Sequence, residues 1–143
     1  MTPGQAVNQG QSMTTRTIRH NGAIGAAPKQ VFGALIKGRK HAKFTGAPAS
    51  ISRRIGGAFT CYGGRISGIN LELVPAKRIV QAWRAKDWPA GIHSIVSFAL
   101  SRRAGGGAGI SFTHVGVPAS SFGDIDGGRR TYYWNPLRAY LGR

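Results

Sequence analysis

The chain has 143 residues, the size of one ordinary domain, and a hydrophobic fraction of 41% that is enough for a real core. Lys and Arg number 20 against 4 Asp and Glu, so the net charge of +16 comes mainly from a shortage of acids. No apolar run approaches the roughly 20 residues of a membrane helix, and one cysteine, Cys61, excludes an internal disulfide and a multi-cysteine zinc site, which fits a reducing cytoplasm.

The start, MTPGQAVNQGQSM, has neither a basic n-region nor an apolar h-region. Residues 1–13 therefore read as a flexible tail ahead of a single domain over 14–143. TTRTIRHNGAI at 14–24 alternates polar and apolar residues and predicts a first strand. Pro28 suits the first turn of a helix, and Val31, Phe32, Leu35 and Ile36 follow at helical spacing, so a short helix is expected over 28–37, ended by Gly38. A second helical piece is expected from Arg39 to Phe44, then a loop at 45–48.

Strands dominate the middle. The expected segments are 49–54, 58–62 and 65–74, the last with Ile69, Leu71 and Leu73 on one face. The glycines of GGAFTCYGGRISG at 56–68 match neither a P-loop nor a dinucleotide fingerprint, because no Gly-Lys-Ser/Thr and no following helix are present. They read as turns around one short strand. Strands are further expected over 78–84, over 92–103 with Val96, Phe98 and Leu100 on one face, and over 108–117 with Ile110 and Phe112 on one face. Ser120 or Ser121 can cap a final helix, with Asp124 and Asp126 in its first turns and Arg138 and Arg143 near its end, a polarity that suits the helix dipole. Gly127, Gly128 and Pro136 weaken it, so a kink or break is expected near Trp134.

This order predicts an α+β helix-grip fold, a curved antiparallel sheet around a long C-terminal helix, with two short helices after the first strand. The space between sheet and helix is the natural place for a pocket. Phe59, Cys61, Trp83, Phe98 and Phe112 alternate along strands toward that space, and Tyr132, Tyr133 and Leu137 face it from the helix. These eight are the candidate ligand-binding residues. Cys61 reads as a packed thiol with no base beside it. His20 and His41 read as lying near loops and His93 and His114 on separate strands, so no metal site is expected. Asp124 and Asp126, two apart on a helix, do not face each other. No nucleophile elbow occurs, and neither catalysis nor a cofactor is expected.

Several stretches resemble the family of activator homologues of the 90-kDa heat-shock chaperone ATPase, within the START-like, Bet v 1-like helix-grip superfamily. They are Pro28-x-x-Val31-Phe32-x-Ala34-Leu35, FTGAPA at 44–49, GGAF at 56–59, LELVPAKRIVQAWR at 71–84, WPAGIHS at 88–94, FTHVGVP at 112–118 and YYWNPL at 132–137. The resemblance runs from about residue 16 onward and implies the same grip fold. Where relatives carry Gly-Trp near the start of the last helix, this chain reads Gly128-Arg129, a charge in place of a large buried anchor. Around 36–40 and 102–108, where relatives often carry carboxylates, it is basic or glycine. Three functions follow as expectations: a non-catalytic module for a small hydrophobic ligand, a single-domain co-chaperone or stress-response partner of the heat-shock chaperone, and a polyanion or nucleic-acid binder driven by charge.

Overall fold

The structure is a computed structural model that describes residues 14–142; the expected tail at 1–13 and the helix-end charge of Arg143 lie outside the described residues. Strand β1 (Thr15–Ile24) is followed by helices α1 (Pro28–Ile36) and α2 (Gly38–Thr45). Six strands come next: β2 (Ser50–Ile51), β3 (Ala58–Cys61), β4 (Ile66–Val74), β5 (Arg78–Ala85), β6 (Ser94–Arg102) and β7 (Ala108–Pro118). The C-terminal helix over 122–141 comprises α3 (Phe122–Arg129), a π-helical turn (Arg130–Trp134) and α4 (Asn135–Leu141). The seven strands form one antiparallel sheet in the order β1-β7-β6-β5-β4-β3-β2. This is the expected helix-grip architecture.

Local chemistry sets the boundaries. Pro28 occupies the first turn of α1, and Gln30 Oε1 accepts from the exposed Ala27 N–H at 2.9 Å. The break between the helices falls on Lys37, which is extended at φ −94°, and not on Gly38. Gly38 instead opens α2 where the chain crosses β2: a Cβ there would lie 3.3 Å from both Ala49 O and Ile51 N. The expected strand at 49–54 shrinks to Ser50–Ile51, because the chain turns back at 54–57 to pair with β3.

The concave face is built from cross-strand rows. Phe59, Gly68, Trp83 and Ser94 form one row. Asn70, Gln81, Val96, His114 and Ile18 form the next. A third runs Leu73, Ile79, Phe98, Phe112 and His20. The expectation that Ile69, Leu71 and Leu73 share a face fails, because a bulge between Asn70 and Glu72 shifts the register. Ile69 pairs with Ala82 on the convex side and is 43% exposed, whereas Leu73 pairs with Ile79 and packs on the core. Asn70, fully buried beside the bulge, donates to Ser52 O at 2.7 Å and accepts from Gln81 Nε2 at 3.0 Å, so its polar atoms are satisfied.

The C-terminal helix differs from expectation at its start. Neither Ser120 nor Ser121 caps it with a side chain; a 3₁₀ turn at Ala119–Ser121 leads in instead. Near Trp134 the α-helix is interrupted, as expected, but by a π-helical turn at Arg130–Trp134 and not by a change of backbone hand. That turn absorbs the proline, and the helix backbone stays right-handed throughout. Pro136 removes the N–H that would bond the Tyr132 carbonyl, and the Tyr62 hydroxyl donates to that oxygen at 2.8 Å. On the β1 side, Trp134 Nε1 donates to His20 Nδ1 at 2.9 Å, which leaves His20 Nε2–H to donate to Asp126 Oδ1 at 2.7 Å. Thus Asp126 ties the helix to β1, and His20, expected near a loop, is a buried strand residue.

Candidate functional site

Between the concave face, α2 and the C-terminal helix lies a cavity of about 660 Å³. Glycine and aromatic residues shape it together. Gly68 sits between Phe59 and Trp83 in its row, and the Phe59 ring covers it; a Cβ on Gly68 would lie 2.6 Å from that ring and collide with the Ala82 carbonyl oxygen. Phe59, Cys61, Trp83 and Phe98 line the sheet side, Tyr133 lines the helix side, and Tyr132 stands at the rim, 65% exposed. The other two candidates, Phe112 and Leu137, are not on the wall. Phe112 is covered by Phe98 and Trp134, with ring centroids at 5.1 and 5.2 Å, and Leu137 is wholly inside the core.

Polar side chains also line the cavity, among them a buried cluster around His41. His41, expected near a loop, is 2% exposed on the inner face of α2. Its Nε2 lies 3.1 Å from Tyr133 Oη and 3.8 Å from Cys61 Sγ, so a base does stand beside the cysteine, contrary to expectation. It does not activate the thiol. Burial and the nearby Arg129 guanidinium lower the His41 value to about 4, and burial raises the Cys61 thiol to about 12. Burial also pushes the Tyr133 hydroxyl up, and Tyr62 up to about 12, so the group is a set of neutral hydrogen-bonding residues.

Beside this neutral set stands Arg129. The charge that stood where an apolar anchor was expected is itself the anchor. The residue is 9% exposed, and its guanidinium carbon lies 4.7 Å from the Tyr133 ring centre, 4.7 Å from Phe112 and 5.7 Å from Trp83. Three ring faces receive the cation, yet rings supply no hydrogen-bond acceptor in the plane of the fork. Arg129 Nη2 has no partner, and among the described residues the side chain makes no ion pair. Burial pulls its value down, but an arginine starts so high that it stays protonated. Its spacing carried the signal: Ile125, Arg129, Tyr133 and Leu137 recur every fourth residue along one inner stripe.

Other residues missed in the sequence are structural. Trp88, in the β5–β6 loop, is buried edge-on to Trp83 at 5.5 Å. His114 is fully buried, with Ser94 Oγ at 2.7 Å from its Nε2, while the Ser94 hydroxyl donates to Trp83 O at 3.0 Å. Among the described residues no three His, Cys, Asp or Glu side chains converge as metal ligands.

The comparisons with known proteins agree with this architecture. A family model described as Activator of Hsp90 ATPase homolog 1-like protein matches residues 25–142. An Activator of 90 kDa heat shock protein ATPase homolog from Dictyostelium discoideum is 28% identical over 109 residues, covering 76% of this chain and 28% of that protein. Activator of 90 kDa heat shock protein ATPase homolog 1 from Homo sapiens is 27% identical over 138 residues, covering 96% of this chain and 40% of that protein. The chain thus spans well under half the length of these relatives. The crystal structure of an HSP90 activator from Plasmodium falciparum superposes with a TM-score of 0.84 at 19% identity, over 88% of this chain and 96% of that one. The solution structure of the Aha1 dimer from Colwellia psychrerythraea gives 0.74 at 19% identity, again over 88% and 96%. At these identities the likeness is one of fold.

Proposed function

The chain belongs to the Activator of Hsp90 ATPase homolog 1-like family, and within that fold we propose that it is a non-catalytic binding module for a small apolar molecule. The cavity of about 660 Å³ between sheet and C-terminal helix carries this reading. Its size falls within the range of roughly 300–1,000 Å³ common to small-molecule sites, and its walls mix apolar and aromatic side chains with a few polar groups. The chemistry of the wall favours binding over turnover. A thiol held near 12 beside a neutral imidazole gives almost no thiolate at neutral pH.

Titration with the neutral dye N-phenyl-1-naphthylamine tests the proposal. Saturable one-to-one fluorescence enhancement is expected, weakened by Trp83→Ala in a variant that still unfolds cooperatively. Absence of saturable binding overturns the reading, and unchanged affinity in that variant removes Trp83 from the pocket.

The names of the relatives favour a second reading, a partner role toward the 90-kDa heat-shock chaperone. Those two relatives are longer proteins, of which this chain spans 28% and 40%. Saturable, salt-sensitive binding of this chain to the purified chaperone tests that role, with nucleic acid as the competitor that the +16 charge calls for.

A further inference from the structure

We propose that the cavity takes an amphipathic anion, an apolar body ending in a carboxylate or comparable acid, with Arg129 as the receptor for its charge. The inference rests on the reading of the cavity as a ligand site and specifies what enters it. Its basis is a buried cation without a counter-ion. Buried charges are normally paired, because an unpaired one forfeits its hydration with nothing in return.

All four acids of the chain are accounted for, and none meets Arg129. Glu72 pairs with Arg78 on the surface at 2.7 Å. Asp126 is taken by His20 at 2.7 Å and lies 3.8 Å from Arg130. Asp87 is exposed in the β5–β6 loop. Asp124 is on the cavity wall but exposed, and it makes no ion pair with the guanidinium. Around Arg129 stand ring faces and neutral hydroxyl, thiol and imidazole groups, so the local field is positive. The exposed wall carries one arginine, Arg65, and one carboxylate, Asp124, so the positive charge that an entering acid meets is that of the buried Arg129. An apolar cation would place like charge against Arg129 and is excluded by the same argument.

The test compares decanoate, decan-1-ol and decylamine, which share one chain and differ in the charged end. Calorimetric titrations are run on the wild-type protein and on Arg129→Met, in low salt and at about 0.5 M NaCl, where the Debye length is only a few ångströms. The expected result is binding of decanol, decanoate tighter by about tenfold or more as a charge-assisted hydrogen bond provides, and decylamine no tighter than the alcohol. The decanoate preference should survive high salt, because a buried pair is weakly screened. Arg129→Met should lose the preference of decanoate over decanol, whatever it does to the affinity for the alcohol.

Equal binding of acid and alcohol by the wild type overturns the inference and leaves the cavity reading standing. A preference retained by Arg129→Met, or one that vanishes in high salt, assigns the selectivity to the diffuse surface charge and also overturns it. Failure of all three probes to bind overturns the cavity reading itself. Should the variant not fold, the salt series on the wild type decides alone.

Discussion

Acid should destabilise this domain far more than its few carboxylates can account for. His41 and His114 are 2% and 0% exposed, and each has one ring nitrogen, Nδ1, buried with no partner. A protonated ring would have to leave a charged donor there unbonded. Burial first and Arg129 second hold the two values down, at about 4 and about 2. In the unfolded chain each titrates near 6.5.

Because the folded values lie below the unfolded ones, the unfolded state binds more protons throughout the window between them. Stability therefore rises with pH there, and it is lost as pH falls below about 6.5. At about pH 4.5 the unfolded chain gains roughly two pH units of protonation at each site, or about 2.7 kcal/mol per histidine. The folded forms remain largely neutral, so the pair contributes a loss of about 5 kcal/mol, comparable with the whole stability of an ordinary domain. Urea unfolding followed by circular dichroism at about pH 7, 5.5 and 4.5 measures it. His114→Gln should remove roughly half of the pH dependence, whatever it does to stability at neutral pH. If wild type and variant lose the same stability on acidification, buried neutral histidine is not the cause and the assignment is wrong.

Three further outcomes are expected. Gly68→Ala drives a methyl into the Ala82 carbonyl and the Phe59 ring, and should cost about 1–3 kcal/mol as over-packing, read as a lowered melting temperature; an unchanged melt contradicts the close contact. Tyr62→Phe leaves the Tyr132 carbonyl without its donor beside Pro136 and should cost about 1 kcal/mol in urea; an unmoved midpoint shows that the bond does not contribute. With its value raised to about 12, Cys61 is thiolate in only about one molecule in 10⁴ at pH 8, so iodoacetamide should label the unfolded protein and spare the folded one; equal rates refute the burial.

The alternation of Ile79, Gln81 and Trp83 against their neighbours, and of Val96, Phe98 and Leu100, made the inward rows legible because a strand has a strict period of two. The bulge at Asn70–Glu72 defeats that rule, since one extra residue reverses every face beyond it and leaves no compositional mark. The proline in the last helix was legible as a disturbance but not as a π turn, because its remedy is a hydroxyl from Tyr62, 70 residues away in the chain. His41 beside Cys61 is likewise a tertiary fact: helix α2 and strand β3 meet only when the cavity forms. Arg129 was hidden by its residue type. Its place in the every-fourth-residue stripe marks it as inward, and the habit of setting arginine in water conceals that.

Native mass spectrometry of the freshly purified protein, after nuclease treatment and a high-salt wash, tests the central claim most directly. The account predicts a reproducible one-to-one adduct of a few hundred daltons, the mass of a small ligand, released on unfolding. A bare, folded chain that also fails to take up N-phenyl-1-naphthylamine would contradict it.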